Sequence, residues 1–149
     1  MLNAIINFVP LTDKLLTGGQ PTESQFREAA EAGVQTVINL ALDSSDNALP
    51  DKPGLVRSLG MAHVHIPVVW GAPQAEDLQR FMDEMDARRG EKVLVHCALN
   101  YRVSCFVALW RVLRQGWERE EAFEPLRKIW DPADHPVWEQ FIADSLGRP

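Results

Sequence analysis

The chain has 149 residues, 46% hydrophobic and 24% charged, with 15 Lys and Arg against 21 Asp and Glu for a formal charge of -6. That length supports a core burying about two-thirds of the surface the unfolded chain exposes, and the acidic balance argues against coating nucleic acid or an anionic membrane. No apolar run approaches the roughly 20 residues that span a bilayer, and residues 1–9 lack the leading cation and cleavage pattern of a signal peptide.

No repeat, low-complexity tract or linker divides the chain, so a single domain over residues 1–149 is expected. Gly18-Gly19 reads as a turn, because no dinucleotide-loop context surrounds it. Residues 21–33 begin with Thr22 and Gln25 at capping-box spacing and place Phe26, Ala29 and Ala30 on one face, which predicts a helix ended by Gly33. The β-branched run Thr36-Val37-Ile38-Asn39-Leu40 predicts a buried strand, and residues 53–59 a short helix after a polar loop. Residues 63–68 form the next predicted strand, with Pro67 placing it near an end or edge.

Leu78, Phe81, Met82 and Met85 recur at helical spacing within residues 75–89. Val93-Leu94-Val95 is a third strand, and the apolar run 103–114 a central, largely buried helix. Residues 118–130 suit a helix whose acidic start and basic end match the dipole, with a kink or break expected at Pro125. A last helix covers 136–146. Strands alternating with helices predict an α/β fold with a central, mostly parallel sheet of about four to five strands flanked by helices. Such sheets bind ligands beyond the carboxyl ends of their strands.

That rule directs attention to His96-Cys97-Ala98-Leu99-Asn100-Tyr101-Arg102-Val103-Ser104, between a strand and a helix. A helix N-terminus lowers a thiol pKa from about 8.5 into the range of roughly 3.5 to 7.5. Successive amides cradle an anion, here expected from Ala98, Leu99, Asn100 and Tyr101, and Arg102 can grip two oxygens at once. Nucleophile, cradle and cation together suit attack on a phosphorylated or otherwise anionic group. A buried, inert Cys97 is the plain alternative.

The run Val95-His96-Cys97 with Arg102 and Ser104 resembles the signature loop of the cysteine-dependent protein phosphatases, particularly the small dual-specificity type. Gly19-Gln20-Pro21, Val37-Ile38-Asn39-Leu40 and His65-Ile66-Pro67-Val68 agree in order and spacing. The likeness is to a bacterial branch of phosphatase-like domains and covers about residues 10–115. It implies a protein tyrosine phosphatase-like fold and hydrolysis of a phosphomonoester, such as protein phosphotyrosine, without metal or cofactor. By that resemblance Cys97 forms the thiophosphate intermediate, Arg102 binds phosphoryl oxygens and Ser104 stabilises the departing thiolate.

Three departures stand out. Four residues rather than five separate Cys97 from Arg102, although Ser104 keeps its usual place seven positions after the cysteine. A mid-loop glycine is absent, and Asn100 is the residue best able to adopt the left-handed backbone it would supply. The slot of the family's Asp acid is held by Val69. Candidate acids are Asp43, Asp46 and Asp131, with Glu76, Asp77 and His135 as further options. The four-residue spacing also matches rhodanese-type sulfurtransferases, whose cysteine carries a persulfide, so sulfur transfer and a non-catalytic anion-binding module remain alternative readings.

Among the remaining signals, His63 and His65 share a strand face but lack a third ligand at metal-site spacing. Cys105 reads as core and Trp70 as a wall of the substrate pocket. With only two cysteines, no disulfide framework is expected and a cytoplasmic setting fits. Residues 92–117 carry four cations and no carboxylate, so this window is +4 while the rest of the chain sums to -10. The partner expected is therefore a small anionic or phosphorylated substrate, not nucleic acid or membrane; oligomeric state is not legible.

Overall fold

The computed structural model describes residues 1–147. Strands β1 (Val9–Pro10), β2 (Leu15–Gly18), β3 (Thr36–Asn39), β4 (Ala62–His65) and β5 (Val93–His96) form one sheet in the order β1-β2-β5-β3-β4. Only β1 runs antiparallel to its neighbour. Helices α1 (Glu23–Glu31), α2 (Lys52–Ser58), α3 (Ala75–Ala87), α4 (Tyr101–Gln115), α5 (Arg119–Arg127) and α6 (Pro136–Ser145) cover its faces. The fold is thus the expected α/β arrangement.

Strands β3 and β5 are buried at every position, as parallel strands covered on both faces must be. Because successive residues point to opposite faces, Leu15, Ile38, Val93 and Val95 join the larger core with α3 to α6. Leu16, Val37 and Leu94 face the smaller core, with Phe26 and Ala29 of α1 and Val56 of α2. Helix α4 is buried continuously from Arg102 to Arg111. No helix among the described residues is long and apolar enough to cross a membrane.

The Thr22–Gln25 capping box of α1 is formed in both directions. Strand β4 is an edge strand and ends at His65, ahead of Pro67; the N–H groups of Ile66 and Val68 still bond to Asn39 and Leu40 carbonyls. Helix α5 keeps Pro125 inside one nine-residue helix and stops at Arg127, three residues short of the sequence expectation. The reading of Gly18-Gly19 as a turn is corrected. Gly18 closes β2 in register with His96, and Gly19 bridges to Leu99.

Candidate active site

Strand β5 lies at the centre of the sheet, so the residues after His96 emerge between the ends of β2 and β3. The Cys97 N–H donates to Gly18 O at 3.3 Å and its side chain is fully buried. Ala98 O accepts from Gln20 N at 3.0 Å and from Asn47 Nδ2 at 3.1 Å. A trans peptide points its N–H opposite its carbonyl, so this anchoring turns the Leu99 N–H away from both donors.

The two glycines exist for close approach. A Cβ at Gly19 would sit 2.6 Å from Ala98 O, and one at Gly18 would sit 2.7 Å from Ile5 Cγ2. Asn100 adopts φ 67° and ψ 14° at the start of α4, the left-handed conformation its position requires. Its Nδ2 donates to Asn7 O at 2.8 Å and Thr17 Oγ1 at 3.3 Å, while Asn7 Nδ2 donates back to Leu99 O at 2.9 Å. The N-terminal segment, on which sequence reasoning placed nothing, therefore latches the loop from behind.

Cys97, Ala98, Leu99, Tyr101 and Arg102 open onto a cavity of about 290 Å³ closed by Trp70 and His135. Arg102 is nearly buried and one Nη donates to Val68 O at 2.9 Å, which ties the guanidinium to the segment after β4. Trp70 packs on Tyr101, Trp130, His135 and Trp138 with ring centroids 5.2 to 5.9 Å apart. Tyr101 stacks on Trp130 at 5.2 Å and 3°. Trp138 Nε1 donates to Trp70 O at 2.7 Å, so α6 holds this wall in place.

Ser104 is buried on α4. Its hydroxyl donates to Tyr101 O at 2.9 Å and accepts from Trp130 Nε1 at 2.9 Å. The single proton of the hydroxyl is engaged away from Cys97 in this arrangement. His96 is fully buried with Nδ1 3.3 Å from Cys97 O and its ring edge-on to Phe26. Burial holds its pKa well below the ordinary value, so it sits behind the thiol as a neutral ring. Burial also pushes the Cys105 thiol far up, consistent with its place in the core.

The three expected acids are not brought to the cavity, and no carboxylate among the described residues lines it. Asp131 is exposed, caps the turn Pro132–Asp134 through the Ala133 N–H, and borders a separate groove with Arg119 and Phe123. Asp43 is exposed on the side of Lys52 and His63, whose charged forms it favours. Asp46 is exposed in the same loop, Val69 is 49% exposed, and Asp77 sits in the first turn of α3. His135 is the titratable side chain the structure does deliver besides Cys97, Tyr101 and Arg102. Four of the five tryptophans lie between residues 110 and 138, a crowding that is the sequence signal of this C-terminal wall.

A family described as DSP-PTPase phosphatase fused to NAD+ kinase matches residues 10–133. The chain belongs to that phosphatase family. A crystallised candidate phosphatase of the DUF442 group from Shewanella putrefaciens CN-32 is 39% identical, covering 97% of this chain and 91% of its own, with a TM-score of 0.85. TpbA of P. aeruginosa, solved in complex with pTyr, shares the fold at a TM-score of 0.76 and 20% identity over 95% and 87% of the two chains. A beta-lactamase hydrolase-like protein of Xylella fastidiosa is 29% identical over 122 residues. The match covers 78% of this chain but 27% of that protein, so the chain spans about a quarter of the length of the curated relatives it matches. Family and fold together make this a domain of the dual-specificity and tyrosine phosphatase type.

Proposed function

We propose that the domain hydrolyses a phosphomonoester through a cysteinyl-phosphate on Cys97. The observation that carries this reading is that Cys97 and Arg102 line one cavity at the β5–α4 junction, in a family of phosphatase type. The Cys97 thiolate attacks phosphorus and the bond to the ester oxygen breaks. Arg102, held by Val68 O through one Nη, turns its remaining N–H groups to the phosphoryl oxygens, and the loop amides, beginning with Leu99, complete the cradle. Water then attacks the phosphocysteine, releasing inorganic phosphate and the thiolate. Rotation of the Ser104 proton from Tyr101 O toward the sulfur would ease that departure.

His135 is our candidate for the proton donor to the leaving oxygen, since it lines the cavity and the carboxylates do not. The aromatic wall of Trp70 and Tyr101 suits a flat leaving group, and an aryl phosphate such as phosphotyrosine is the substrate class we assign. Sulfur transfer is retained as a second reading on one observation, the four-residue interval between Cys97 and Arg102. Turnover of an aryl phosphate and thiosulfate-to-cyanide transfer, each measured with wild type and Cys97→Ser, test both. Phosphate release that disappears in Cys97→Ser is expected; release that survives would refute the mechanism, and cyanide-dependent turnover alone would favour sulfur chemistry.

A further inference from the structure

Helix α4 ends at a second cavity, of about 250 Å³, that shares no lining residue with the Cys97 cavity. Leu15 and Val93, the first residues of β2 and β5, place it at the amino-terminal edge of the sheet, opposite the loop of Cys97. Arg111 lines it, nine positions after Arg102 and so about 13 Å along the helix.

The surroundings of Arg111 are incomplete. It is 5% exposed, and among the described residues its guanidinium makes no ion pair and no hydrogen bond, with Nε enclosed and unpartnered. Its one contact of note is Trp117, over whose ring Cζ sits at 4.1 Å. Neighbouring cations are occupied. Arg88 pairs with Glu84 and Glu91, Arg89 pairs with Asp86, and Lys14 Nζ donates to the Gly90 carbonyl. On its far side Arg111 also borders a cleft with Glu121 and Glu124, neither of which pairs with it. A buried guanidinium without an anion is costly, which is why such groups are normally found paired. Burial depresses its pKa.

We propose that this cavity binds a small apolar carboxylic acid, its carboxylate on the free edge of Arg111 and its body against Val93 and the half-exposed Trp117. The ring of Trp117 covers one face of the guanidinium and leaves the planar fork, whose geometry matches one carboxylate bidentately. One buried guanidinium without a hydrogen-bond partner among the described residues suits a single negative charge, and the apolar strand ends beneath it suit a flat hydrocarbon body.

The test is calorimetric titration of 2-naphthoate, and of the neutral 2-naphthamide, into wild type, Arg102→Ala, Arg111→Gln and Trp117→Ala. Saturable naphthoate binding is expected in wild type and unchanged in Arg102→Ala. Affinity is expected to fall by about tenfold or more in Arg111→Gln and Trp117→Ala, and by a similar factor for naphthamide on wild type. If Arg111→Gln does not fold, Trp117→Ala, altered at a 38% exposed position, and the amide comparison on wild type decide the question. Any other result overturns the proposal: absent binding, equal affinity for acid and amide, retention in the folded α4-end variants, or loss in Arg102→Ala, which would place the anion in the Cys97 cavity.

Discussion

The two ends of α4 each bury an arginine, and they treat it differently. Arg102, in the first turn, has a carbonyl partner in Val68 O and faces a thiol across an open cavity. Arg111, near the last turn, has only the ring of Trp117 among the described residues. The first end is tied from three directions, by the segment after β4, by Gln20 and Asn47 on Ala98 O, and by Asn7 behind Asn100. A loop so fixed in advance is suited to hold charge in a set geometry, which is the requirement for electrostatic catalysis. The second end lacks that scaffolding and suits reversible binding at most.

The sharpest way to break this contrast is at the thiol. Cys97→Ser should lower aryl phosphate turnover by about 10³-fold or more, measured at saturating substrate. Arg102→Ala should follow, with vanadate affinity and turnover both down by about 10²-fold; unchanged vanadate affinity would remove Arg102 from the site. His135→Asn should cost about 10- to 10²-fold with a poor alkyl leaving group and much less with p-nitrophenyl phosphate, which departs without a proton. A uniform loss across both leaving groups would reassign His135 to packing against Trp70 and Trp130.

Much of the first end was legible because chemistry confined to one short segment leaves a spacing signature. Cys97, Arg102 and the left-handed Asn100 all lie within six residues, and the strand and helix flanking them are largely apolar runs. What supports them is distant in sequence. Asn7, Gly19, Asn47, Val68 and His135 come together with the loop only after the sheet has formed, and no local pattern marks Asn7 or Asn47. Strands β1 and β2 escaped notice because they span two and four residues, and because glycines that signal a turn here serve close approach to Ala98 O and Ile5. The acid could not be placed from sequence, since a carboxylate's position along the chain says nothing of which cavity it faces.

Smaller effects sharpen the account of the scaffold. Gly19→Ala forces a Cβ against Ala98 O and should destabilise the fold by about 1–3 kcal/mol, seen as a lower denaturation midpoint with a matching loss of turnover. The neutral histidines His63 of β4 and His96 of β5 predict an acid sensitivity. Burial, with help from His65, Lys52 and Arg57, lowers the His63 pKa from 6.5 to about 4. The unfolded chain therefore takes up a proton near pH 6.5 that the folded chain resists until about pH 4, so stability is retained above pH 6.5 and lost as pH falls through that window. His63→Gln should flatten the fall of Tm between pH 7 and pH 4; an unaltered slope would shift the effect to His96.

The most direct test of the central claim is to trap the intermediate. Wild-type protein mixed rapidly with an aryl phosphate, quenched in acid and digested should yield the peptide containing Cys97 carrying one added phosphoryl group, absent from Cys97→Ser. Steady phosphate release with no phosphoryl label on that peptide at any quench time would contradict it.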